Sequence, residues 1–166
     1  FVWQTGKYYF EEMKNRLAAE QPVGNLFPTE FVQDMDQAYA AADLVISRAG
    51  AGTISELCLL GKPVILVPSP NVAEDHQTKN ALALADKDAA IHIRDVDAKK
   101  ELIPAAIDLV KDEARLEQLH DNILKLAMYD SAEIIAREVL KLAGYGSGSL
   151  KLDDIKSVYF VGAGGI

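Results

Sequence analysis

The stretch SRAGAGTISELCLLGKPVILVP, residues 47–68, carries residue types suited to a phosphorylated ligand. Gly50 and Gly52 flank Ala51, and glycine lets a backbone approach a ligand closely and reach positive φ. Thr53 stands where the helical pattern begins, and the free N–H groups of a helix's first turn suit an anion. Glu56, one turn further on, could accept hydrogen bonds from a ribose diol. The same spacing also spells a capping box, Thr53-Ile54-Ser55-Glu56, in which Glu56 merely binds the Thr53 N–H. Arg48 fits a phosphate or a nearby acidic side chain, and the acidic partner is the commoner outcome.

A second loop, PSPNVAEDHQTKNA at 68–81, delivers Asp75, His76, Gln77 and Asn80 to the start of a helix. Gln77 and Asn80 are three apart and share a face. Amides and a neutral histidine suit sugar hydroxyls, which both donate and accept. The plainer alternative is an N-cap by Asp75 and a solvated polar turn. Two such loops after consecutive strands favour one shared site over two separate turns.

The elements that must position these loops follow from periodicity. Strands are expected at 1–4, 23–27, 43–47, 64–68 and 89–93. Helices are expected at 7–20, 35–42, 53–60 and 75–86, then near 99–112, 113–127 and 131–143. Continuously apolar strands alternating with helices predict an α/β fold with a parallel sheet covered on both faces. Ligands of such sheets sit at the carboxyl ends of the strands, where both loops lie.

With 166 residues, 17 Lys+Arg against 25 Asp+Glu, the chain carries a net charge of −8. The basic residues are scattered, which argues against a nucleic-acid partner. One cysteine, Cys58, excludes an internal disulfide and a CxxC metal site, and fits a reducing, cytoplasmic compartment. The apolar runs are far too short to span a membrane. FVWQTG opens as a strand already under way, so the sequence reads as a fragment.

EFVQDMDQAYAAADLVISRAGAGTISELCLLGKPVILVPSPNVAEDHQTKNA closely resembles the donor-binding half of the MurG family, the bacterial N-acetylglucosaminyltransferases of glycosyltransferase family 28. The resemblance covers residues 1–143 and implies a Rossmann-like, doubly wound sheet, the C-terminal half of a GT-B fold. It implies UDP-N-acetylglucosamine as donor and lipid I as acceptor, in the step of peptidoglycan synthesis that makes lipid II. Val32 would read the uracil through its backbone, Ala51, Gly52 and Thr53 would hold the diphosphate, and Glu56 the ribose. Gln77, with His76 and Asn80, would meet the sugar. No metal, no cofactor and no catalytic residue is expected on this chain, because the acceptor-binding half and its base lie elsewhere. The family is peripheral on the inner face of the cell membrane. The alternatives are another GT-B enzyme, a UDP-sugar 2-epimerase or a lipid glycosyltransferase, or a non-catalytic nucleotide-sugar-binding domain.

GYGSGS at 144–149 reads as a linker. LKLDDIKSVYFVGAGGI, at 150–166, resembles the opening of a UDP-N-acetylmuramate–alanine ligase, a strand at 157–161 entering a glycine turn. A fused gene, a designed junction and a truncated chain all fit. The family's first strand, which ends in a glycine-rich loop, has no counterpart here, so 1–4 and 43–47 are expected as two facing edges. Residues 157–161 could insert between them, in the same chain or swapped from a neighbour, because 144–156 reach roughly 40 Å when extended.

Overall fold

A computed structural model describes residues 1–19, 24–70 and 75–142. The chain divides into two compact units, Phe1–Ala127 and Met128–Ile166. The first contains β1 (Val2–Gln4), α1 (Lys7–Ala19), β2 (Phe27–Thr29), α2 (Met35–Ala41), β3 (Val45–Ser47), α3 (Ala51–Leu60), β4 (Val64–Leu66), α4 (His76–Ala85), β5 (Ile91–His92), α5 (Asp95–Leu109) and α6 (Glu113–Leu124). The second contributes α7 (Ser131–Leu142) to the described residues, with Arg137 paired to Glu133 one turn away.

The described strands are all parallel and form two sheets, β1–β2 and β3–β4–β5. No described strand joins β1 to β3. The linker, the tail and its strand at 157–161 lie outside the described residues.

β4 explains why the larger sheet is covered on both faces. Val64, Ile65 and Leu66 are all fully buried, but they point alternately to opposite sides. Val64 and Leu66 pack in a cluster with Leu57, Cys58, Ala81 and Leu84 of α3 and α4. Ile65 and Val67 pack in another with Ala106, Leu109 and Leu119 of α5 and α6. Cys58 is 5% exposed, and burial pushes its thiol pKa up, opposed weakly by Lys87.

α3 stops in a Schellman turn, with Lys62 N–H on Leu57 O at 3.1 Å and Gly61 N–H on Cys58 O at 3.3 Å. Gly61 has φ +63, and an added Cβ would lie 2.7 Å from Cε1 of His120, whose Nδ1 meets the Gly61 carbonyl at 2.6 Å. Lys62 then donates to Ala42 O at 2.9 Å, fastening the amino ends of β3 and β4 together. The α4–β5 turn is held from α6. There Arg115 grips both Asp88 carboxylate oxygens at 2.5 and 2.7 Å, and Asn122 donates to Asp88 O at 3.0 Å.

Three expectations need correction. The second strand runs Phe27–Thr29, not 23–27, and Gly24–Asn25 are a turn. Pairing with β1 sets this register: Phe27 N–H points at Phe1 O at 2.8 Å, so the N–H that Pro28 lacks would face away from the ladder. α5 begins at Asp95, earlier than 99, with Asp95 and Asp97 favouring its first turn. α3 begins at Ala51 rather than Thr53.

Candidate functional site

The early start of α3 removes the capping box. Gly50 is the N-cap and Thr53 is already helical, so Glu56 has no cap bond to make with it. The first helical bond is Ile54 N–H to Gly50 O at 3.0 Å. The N–H groups of Ala51, Gly52 and Thr53 therefore precede the ladder and face out of the helix end. Ala51 and Gly52 are exposed and Thr53 is half-buried. Positive φ is not what the glycines supply: Gly50 has φ −67, and the described glycines with positive φ are Gly6 and Gly61. A Cβ on Gly52 would meet nothing within 4 Å. The fold therefore leaves that space open.

β3, β4 and β5 are parallel, so their following loops leave one edge of the sheet, and side chains stitch these loops together. Arg48, just after β3, donates to Val67 O and Pro68 O, each at 3.2 Å, and pairs with Asp95 at the start of α5. Of the two partners open to Arg48, the acidic one is present. Asn80 Nδ2 donates to Ala49 O at 3.1 Å, tying α4 to the turn before α3. Gln77 Oε1 accepts from Ser69 N–H at 2.9 Å, closing the β4–α4 loop on itself. Arg48, Gln77 and Asn80 thus belong to one connected set of loops. His76 opens α4 on the exposed side. Asp75 does not cap α4 with its side chain; it takes the left-handed conformation, φ 54.

Glu56 is exposed and receives the Tyr39 hydroxyl at 3.5 Å. Partial burial, then the charge and hydrogen bond of Glu56, hold the Tyr39 pKa above the usual tyrosine value. Val32 lies beyond β2, and its N–H donates to Gln4 Oε1 at 2.8 Å. No hydrogen bond among the described residues joins Val32 to Glu56 or Gln77. Sequence reasoning missed Gln4, Tyr39 and Asp95. Gln4 and Asp95 could have been found as polar residues at or just beyond strand carboxyl ends. Among the described residues, no group of three His, Cys, Asp or Glu could hold a metal ion.

A parallel sheet layered by helices, with an open helix N-terminus and amide-bearing loops gathered at its carboxyl edge, defines an α/β domain of the doubly wound class. The solved structure of MurG from Acinetobacter baumannii shares this architecture, with a TM-score of 0.74 and 28% identity over 84% of this chain and 42% of that one. The glycotransferase of kitacinnamycin shares the fold at a TM-score of 0.56 and 22% identity, over 82% of this chain and 34% of that one. The family model for the glycosyltransferase family 28 C-terminal domain matches residues 1–135, and the chain belongs to that family. It is the C-terminal domain of a GT-B glycosyltransferase in fold. It is 60% identical over 143 residues to the UDP-N-acetylglucosamine–N-acetylmuramyl-(pentapeptide) pyrophosphoryl-undecaprenol N-acetylglucosamine transferase of Bacteroides thetaiotaomicron, covering 86% of this chain and 38% of that protein. The transferase of the same name from Parabacteroides distasonis is 57% identical over 141 residues, 85% of this chain and 38% of that protein. The chain thus spans well under half the length of these curated relatives. No helix among the described residues is long and apolar enough to cross a membrane.

Proposed function

We propose that this chain is the donor-binding half of a transferase that moves N-acetylglucosamine from UDP-N-acetylglucosamine to lipid I, forming lipid II in peptidoglycan synthesis. The observation that carries this is the open first turn of α3, set beside the loops tied by Arg48, Gln77 and Asn80. The high identity to the transferases of Bacteroides and Parabacteroides supplies the substrate class.

In this reading the N–H groups of Ala51, Gly52 and Thr53 hold the diphosphate, Glu56 accepts from the ribose hydroxyls, and the Val32 backbone meets the uracil. His76, Gln77 and Asn80 face the sugar. The Arg48 guanidinium acts by fixing loops, since its charge already meets Asp95. As the sugar–phosphate bond breaks, negative charge grows on the departing UDP. Preorganised N–H groups and the positive end of the α3 dipole stabilise that charge. The transfer is an inverting displacement by the C4 hydroxyl of the acceptor's N-acetylmuramic acid. Lipid I and the base that activates it are met by the rest of a longer transferase, which works at the inner face of the membrane.

Calorimetry of the chain with UDP-N-acetylglucosamine, UDP-glucose and NAD tests this. Saturable binding of UDP-N-acetylglucosamine, tighter than UDP-glucose and without NAD binding, is expected. NAD binding, or no UDP-sugar binding, would refute it.

A further inference from the structure

Arg48 joins the carboxyl ends of three parallel strands through one nitrogen. It follows β3, and its Nη1 donates to Val67 O and Pro68 O, each at 3.2 Å, at the end of β4. The same Nη1 pairs with Asp95, the first residue of α5, just beyond β5. Asp95 therefore lies on the sheet edge where the first turn of α3 opens. Arg48 precedes Ala51 by three residues, so their Cα atoms lie within about 11 Å of each other. The pair is open to water, with the Arg48 side chain 55% exposed and that of Asp95 34% exposed. Such a pair adds little stability, but its charges still act through solvent on any anion at the turn. The neighbouring Arg94 is likewise matched, by Asp97 at 2.6 Å.

A turn of bare N–H groups at the positive end of a helix dipole favours the more highly charged of two anions. In the proposed reaction that preference is a liability. Each phosphate of the donor is linked on both sides and carries a single negative charge. The departing nucleoside diphosphate ends in a monoester, whose second ionisation falls at about pH 6, so at about pH 8 it carries about one negative charge more. An unmatched Arg48 would add to the preference, and the product would hold the site against the next donor. We infer that Asp95 is a specificity-determining residue: by cancelling the Arg48 charge beside the α3 turn, it limits the advantage of the free nucleoside diphosphate over the nucleotide sugar. This rests on the donor-site reading, in which the α3 turn holds the diphosphate, and adds the residue that sets how strongly the turn weighs ligand charge.

The test is calorimetry of the 166-residue chain with UDP and UDP-N-acetylglucosamine, in low and high salt, for wild type, Asp95→Asn, Asp95→Glu and Arg48→Gln. Asp95→Asn leaves Arg48 an acceptor and removes only the charge. Each unit of ligand charge about 8–10 Å from the uncancelled cation is worth a factor of about 2.5 at low salt. UDP should therefore tighten about fifteenfold and UDP-N-acetylglucosamine about sixfold, moving their affinity ratio about 2.5-fold toward UDP. At about 0.5 M salt the shift should largely vanish. Asp95→Glu keeps the charge and should keep the wild-type ratio. Arg48→Gln leaves Asp95 unmatched and should move the ratio the other way. A purely structural Asp95 would change both affinities by one factor at any salt. An unchanged ratio in Asp95→Asn at low salt, a shift that persists in high salt, or a shifted ratio in Asp95→Glu overturns the inference. If Asp95→Asn does not fold, Arg48→Gln decides, and an unmoved ratio there overturns it equally. Failure of the wild type to bind UDP at all is instead the failure of the donor-site reading.

Discussion

Gly52→Ala should move stability and binding in opposite directions. Gly52 lies in the first turn of α3, and its added Cβ would meet nothing within 4 Å. With no clash, the substitution simply removes glycine's backbone entropy from the unfolded chain and restores helix propensity. That stabilises by about 0.5–1 kcal/mol, a rise in Tm of about 1–4 °C for a chain of this size. In the proposed complex the same methyl projects where a phosphate oxygen approaches the N–H groups of residues 51–53. Losing one charge-assisted hydrogen bond costs about 1.5–3 kcal/mol, or about tenfold to a hundredfold in Kd. Scanning calorimetry and titration with UDP on the same preparation read both quantities. A variant with raised Tm and unchanged UDP affinity would show that no ligand approaches that turn. A lowered Tm would refute the steric reasoning itself.

Glu56→Gln should leave stability within about 0.5 kcal/mol, since the one hydrogen bond it makes among the described residues is the long contact from Tyr39, yet weaken UDP binding about tenfold or more; loss of stability with intact binding would restore a structural role. The same variant should bring the Tyr39 pKa down toward the usual tyrosine value, leaving the part due to burial, and ultraviolet titration measures it. Gly61→Ala places a Cβ in left-handed backbone against His120 and Leu124, and should destabilise by about 3 kcal/mol in urea melts; a loss under about 1 kcal/mol would contradict the close packing drawn there. The Arg115 hydrogen bonds hold the Asp88 pKa below the usual carboxylate range, so their stabilisation is present at neutral pH and lost as pH falls through the folded value. Arg115→Met should therefore flatten the acid limb of stability against pH, and an unchanged limb would place the acid sensitivity elsewhere.

The element order was legible because burial imposes it. β4 lies between two helix layers and must be apolar throughout, which is how VILV reads. The boundaries were less legible where two local signals compete. Gly50 and Gly52 suggest loop, but Gly52 is helical and Gly50 is the cap, which shifted the expected frame by two residues and produced a false capping box. Pro28 argues against a strand, yet an edge register accommodates it. The residues around the candidate site were legible as types, but their partners were not. Arg48 meets Asp95 47 positions away, and Val32 meets Gln4 28 positions away, through folding that no local spacing encodes. The role proposed for Val32 came through the family resemblance alone.

The single cysteine offers a natural clock for the helix whose first turn is proposed to hold the diphosphate. Cys58 lies two turns down α3 from the exposed N–H groups, 5% accessible and with its thiol pKa held up by burial. A disulfide reagent can reach it when α3 lifts from β4, so its labelling rate in native buffer counts those openings. Any ligand that fastens to the α3 N-terminus must make them rarer, and RT times the logarithm of the slowing gives how far the ligand favours the closed state over the open one. An unmodified chain can thus report occupancy of its own site through a sulfur that never touches the ligand.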